Sequence, residues 1–105
     1  MTIVAAIQMT SSADVAGNLA EAGRLLGQAR SRGAQVAVLP ENFAFMGVNE
    51  SDKFTIAEDE GLGPIQQFVA SAAREMRMWI VAGTIPLRIE GEPRLAAASL
   101  VFDDH

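Results

Sequence analysis

The chain has 105 residues, half of them hydrophobic, with thirteen acids against eight bases and a formal net charge of −5. That length sets one small domain or part of a larger one, and the acidic balance with scattered arginines argues against a nucleic-acid surface. Without cysteine there is no disulfide framework, thiolate metal site or cysteine nucleophile, and the single histidine, His105, argues against a Ser-His triad.

In chain order, residues 2–9 are β-branched, apolar and nearly continuous, which predicts a strand covered on both faces. Ser11, Ser12 and Asp14 then offer capping oxygens to a helix over 15–32. Val15, Leu19, Ala22, Leu26 and Ala29 recur at spacings of four and three and share its apolar face. Asn18, Glu21, Arg24, Gln28 and Arg32 fall largely elsewhere, and Gly33 suits the position after the helix. Residues 36–39 read as a short buried strand stopped by Pro40. From 41 to 63 the pattern is irregular or partly helical, and Glu50, Asp52, Glu58, Asp59 and Glu60 read as a solvated, mobile loop.

Gly63-Pro64 opens a second helix with proline at the favoured first position. Ile65, Phe68, Val69, Ala72 and Met76 make its apolar face. Residues 79–85 predict a third strand, Gly91 with Pro93 a turn, and 96–102 a fourth strand; Met76, Met78 and Trp79 read as core. The order β-α-β-loop-α-β-turn-β makes an α/β chain whose helices cover a sheet. No apolar run approaches the roughly 20 residues needed to cross a bilayer. No basic segment precedes the opening apolar stretch. A soluble, cytoplasmic protein with neither nucleic-acid nor membrane partners is the expectation.

Glu41 stands out by position. It directly follows a buried strand at its carboxyl end, where open α/β sheets place their ligands. Partial burial among Leu39, Pro40, Phe43 and Phe45 suits a general base, while a loop carboxylate that caps or pairs is the plainer reading. Phe43 and Phe45 are candidates to line a pocket beside it, although an aromatic cluster next to a strand is more often core. Gly61-Leu62-Gly63-Pro64 lacks a phosphate-loop pattern and the acids fit no EF-hand, so no cofactor and no metal is expected.

Several motifs in order resemble the amino-terminal part of the nitrilase (carbon–nitrogen hydrolase) superfamily. They are Ala6-Ile7-Gln8-Met9, Asn18-Leu19, Gly33-Ala34-Gln35-Val36-Ala37-Val38-Leu39-Pro40-Glu41, Gly63-Pro64, Trp79-Ile80-Val81-Ala82-Gly83-Thr84 and Ser99-Leu100-Val101-Phe102-Asp103. The set spans essentially the whole chain, so residues 1–105 read as the amino-terminal portion of a single, incomplete hydrolase domain. The resemblance implies part of an α-β-β-α sandwich that dimerises through its helical layer, hence a homo-oligomer. It also implies a Glu-Lys-Cys triad that hydrolyses non-peptide C–N bonds, amides more often than nitriles, with Glu41 as general base.

By the same resemblance the lysine and the cysteine fall past His105; Lys53, in the acidic loop, does not match. The stretch from Glu41 to Gly47 is similar to the branch acting on ω-amides and deaminated glutathione. Where the family often carries Tyr-Asn, this chain has Ala96-Ala97. The implied partner is a small-molecule amide once the triad is complete, and the 105 residues alone are expected to be inactive. A different class stays open: an inactive fragment or assembly module with a half-fold whose sheet face and edges are exposed. A flavodoxin-like ligand-binding domain is a third reading, carried by the βαβ pattern alone.

Overall fold

A computed structural model describes residues 1–105. Strand β1 (Val4–Ala6) leads through helix α1 (Val15–Ser31) to strand β2 (Val36–Val38). A 3-10 helix (Glu50–Thr55) and helix α2 (Pro64–Met76) then lead to strand β3 (Trp79–Val81). Three more strands follow, β4 (Ile85–Arg88), β5 (Leu95–Ala98) and β6 (Val101–Phe102). Strands β1, β2 and β3 run parallel, with the helices as crossovers, and β6 pairs antiparallel with β3. Strands β4 and β5 form a separate antiparallel ribbon. No helix is long and apolar enough to cross a membrane.

Register decides which side of the four-stranded sheet is covered. Ala5, Ala37, Ile80 and Phe102 lie in one row and pack with Leu26, Val69 and Ala73 into the core. The alternate residues face the other way, because side chains switch faces at each step along a strand. On that face Val4 is 59% exposed, Trp79 50% and Val101 58%. The sheet is therefore covered on one side only, not on both as its apolar run suggests. Trp79 belongs to the open face; Met78, fully buried, belongs to the core.

Each of the two long apolar runs near the carboxyl end divides into two strands serving different sheets. Residues 79–85 break at Gly83, whose φ of +47° turns the chain from β3 toward β4. A Cβ at that position would collide with the Pro40 carbonyl oxygen, so only glycine permits the approach. Residues 96–102 break at Ser99-Leu100, where the Leu100 carbonyl accepts the Ala82 N–H at 2.8 Å. Six short strands replace the four expected.

The helices match their expected spans closely, with one change of face. Asn18 joins Ala22, Leu26 and Ala29 on the buried side of α1. Asp14 sits at the N-cap without a side-chain capping bond. Both helices end in the same way. Ala34 N–H returns to the Ala29 carbonyl at 3.1 Å, with Gly33 left-handed at φ 89°. Met78 N–H returns to the Ala73 carbonyl at 3.0 Å, with Arg77 left-handed at φ 52°.

Glu58 departs most from the solvated acidic loop. It is 4% exposed, and its Oε2 accepts the Ile65 N–H at 2.6 Å. Its Oε1 accepts both the backbone N–H and the Nε2 of Gln66, each at 3.1 Å. The cause is the start of α2: Gly63 and Pro64 carry no side-chain acceptor, so free N–H groups of the first turn need one from elsewhere. Backbone pairing of Glu58 with Pro86 and Arg88 brings the carboxylate there.

Candidate active site

Glu41 lies just past the carboxyl end of β2, the central pairing partner of β1 and β3. The Leu39 N–H still donates to Val81 at 2.9 Å, and Pro40, without an N–H, ends the ladder. Asn42 then adopts φ 55°, which sends Phe43 and Ala44 into the core and leaves Glu41 exposed. The carboxylate is thus open to solvent, not partly buried.

The turn after Glu41 is held by groups from three other segments. The Asn42 N–H donates to the Thr84 hydroxyl at 3.0 Å. The Ser11 hydroxyl donates to the Phe43 carbonyl at 2.7 Å, and Asn18 Nδ2 donates to the Ala44 carbonyl at 2.8 Å. The Met46 N–H donates to the Ser12 carbonyl at 2.8 Å. Gly83 packs against Pro40 from the side of Thr84. Residues from the β1–α1 loop, from α1 and from the β3–β4 loop therefore converge on one turn.

The two aromatic candidates part company. Phe43 has no exposed surface and fills the core, because the left-handed Asn42 turns it inward. Phe45 borders a depression of about 200 Å³ beside the turn, together with Asn42, Met46, Lys53 and Pro86. Lys53 pairs with Glu50 at 3.1 Å rather than with Glu41. A larger concavity of about 940 Å³ runs along the β4–β5 ribbon, past Arg88, Ile89 and Leu95, and does not reach residues 41–47. Asn18 and Thr84 stand in the sequence only as members of family motifs, with no role at this turn assigned to them. The available signal was a carboxamide four residues before Ala22 and eight before Leu26, on what proves to be the buried stripe.

The family model for carbon–nitrogen hydrolase matches residues 3–105. A deaminated glutathione amidase of Synechocystis sp. (strain PCC 6803 / GT-S) is 38% identical over 90 residues, 86% of this chain and 32% of the relative. Another, of Yersinia enterocolitica, is 35% identical over 101 residues, 95% of this chain and 35% of the relative. The chain spans about a third of the length of these curated relatives. The crystal structure of Nit3 from Saccharomyces cerevisiae, a member of branch 10 of the nitrilase superfamily, has a TM-score of 0.84 at 22% identity. That match covers 96% of this chain and 39% of the other. The NitFhit protein of C. elegans gives the same score and identity over 96% and 24%. At that identity the two structures speak for the fold, which is the α/β arrangement of the nitrilase superfamily.

Proposed function

Since the chain belongs to the carbon–nitrogen hydrolase family, we propose that it carries the general base, Glu41, of an amidase that cleaves a small-molecule C–N bond. The placement of Glu41 carries this reading: a carboxylate just past the carboxyl end of β2, on a turn held by the β1–α1 loop, α1 and the β3–β4 loop. The curated relatives, named as amidases, add support.

In the proposed reaction Glu41 takes the proton of a cysteine thiol, and the thiolate adds to the amide carbonyl carbon. A lysine ammonium stabilises the resulting oxyanion. Glu41 returns the proton to nitrogen as the C–N bond breaks, so the amine leaves and a thioester remains. It then takes a proton from water, whose oxygen adds to the thioester carbon. The C–S bond breaks and the thiolate recovers its proton from Glu41. These residues hold no cysteine, and Lys53 does not match the family's lysine, so the scheme draws the other two groups from beyond His105. On this reading residues 1–105 alone are inactive, and the enzyme is a cytoplasmic homo-oligomer.

Deaminated glutathione is the first substrate to try, because the relatives are named for it. Protein made from the complete coding sequence is expected to consume it, followed by liquid chromatography. Glu41→Gln should lower kcat by about 10²- to 10⁴-fold. Undiminished turnover in that variant removes Glu41 from the role. An inactive assembly module is the second reading, favoured by the open apolar sheet face. A coding sequence without a cysteine after His105, together with zero turnover, would support it.

A further inference from the structure

We propose that Asn18 and Thr84 are positioning residues that aim Glu41 by holding its turn from two separate elements, an inference that rests on Glu41 being the general base. Asn18 interrupts an otherwise apolar stripe of α1 and is 5% exposed. Asparagine is a poor helix former, and burying its carboxamide is unfavourable unless each polar atom finds a partner. Here both ends are used. Oδ1 accepts the Ser12 N–H at 3.0 Å, while Nδ2 donates to the carbonyls of Ser12 at 2.7 Å and Ala44 at 2.8 Å. One side chain thus locks the β1–α1 loop onto the turn after Glu41.

Thr84 works from the loop between β3 and β4. Its hydroxyl accepts the N–H of Asn42, the residue next to Glu41 and the only non-glycine besides Arg77 with a left-handed backbone. Such a conformation persists where the surroundings over-determine it. Closing a turn requires one internal bond, and Phe45 N–H to the Asn42 carbonyl at 3.3 Å already supplies it. Yet Asn42, Phe43, Ala44 and Met46 each have a backbone group held from outside. That surplus fixes the direction in which the chain leaves Glu41. A general base acts only within hydrogen-bond reach of its proton, and a displacement of about 1 Å can lower the rate about 10²-fold.

The test uses protein from the complete coding sequence, with Thr84→Val, Thr84→Ser, Asn18→Ala and Glu41→Gln compared on deaminated glutathione. Thr84→Val and Asn18→Ala are expected to lower kcat about ten-fold or more while KM stays within about two-fold. Amide hydrogen exchange over residues 41–46 should quicken in each variant. Thr84→Ser, which keeps the hydroxyl, should recover both. Wild-type kcat and hydrogen exchange in Thr84→Val overturn the inference, as does a loss that Thr84→Ser fails to recover. If Asn18→Ala does not fold, the Thr84 pair decides alone. Retained turnover in Glu41→Gln would overturn the general-base reading and this inference with it. A dead Glu41→Gln beside an unchanged Thr84→Val overturns only the inference.

Discussion

Two glutamates of this chain exchange the environments their neighbours suggest. Glu41, set among proline and phenylalanine, is exposed; Glu58, set in an acidic run, is buried with three hydrogen bonds. The local sequence misleads in both cases because burial is decided by distant pairing. Glu58 is drawn inward by backbone bonds to Pro86 and Arg88, residues of a strand that no local pattern around the loop announces. Gly63, at φ 148°, completes the arrangement, since a Cβ there would collide with the Glu58 carboxylate. Glu58→Ala should lower stability by about 2–4 kcal/mol in urea unfolding, because it leaves buried N–H groups of α2 without an acceptor. A loss under about 0.5 kcal/mol would show that water or Gln66 replaces the carboxylate, as freely as at an ordinary surface site. The position of Glu41 was legible, as it needs only a strand and its end. What grips its turn was not.

At the scale of elements, the two helices offer a matched pair. Both close with a bond from the residue after the left-handed position to a carbonyl five residues earlier. Gly33 occupies that position in α1 and Arg77 in α2. The left-handed region costs an L side chain about 1–2 kcal/mol, part of which glycine's greater freedom in the unfolded chain offsets. Arg77→Gly is therefore expected to stabilise the protein by about 0.5–1 kcal/mol, read as a higher urea midpoint with an unchanged slope. A lower midpoint would mean that the Arg77 side chain contributes more than its backbone strain removes.

On the solvent side of α1, Arg24 donates to Glu21 at 2.6 and 3.0 Å, and that hydrogen bond holds the Glu21 carboxyl below its ordinary range. Exposed pairs of this kind contribute little, so α1 is held by its buried stripe. Helices were readable because proline at a helix start, glycine after a helix end and a repeating apolar face are local signals. The strand breaks at Gly83 and Ser99 were not, since an apolar run looks alike whether it serves one sheet or two.

Across residues 1–105, the decisive asymmetry is a sheet with helices on one side and open apolar rows on the other. Val4, Val38, Trp79 and Val101 stand on that open side. Exposed apolar patches of this sort drive association. Residues 1–105 produced by themselves should self-associate, with the lone tryptophan, Trp79, shifting its emission to the blue as concentration rises. Trp79→Lys with Val101→Lys should yield a monomer by sedimentation. A wild-type polypeptide that stays monomeric throughout would count against the patch as a contact surface.

The grip on the Glu41 turn also has a consequence for the order of synthesis. Its clasp from Ser11 spans 32 positions and its clasp from Thr84 spans 42. A nascent chain emerges from its amino end and gains distant contacts last. Ser11 and Asn18 therefore precede Glu41 out of the ribosome, whereas Thr84 follows it. The turn at Glu41 is thus half clasped until the chain beyond it supplies Thr84.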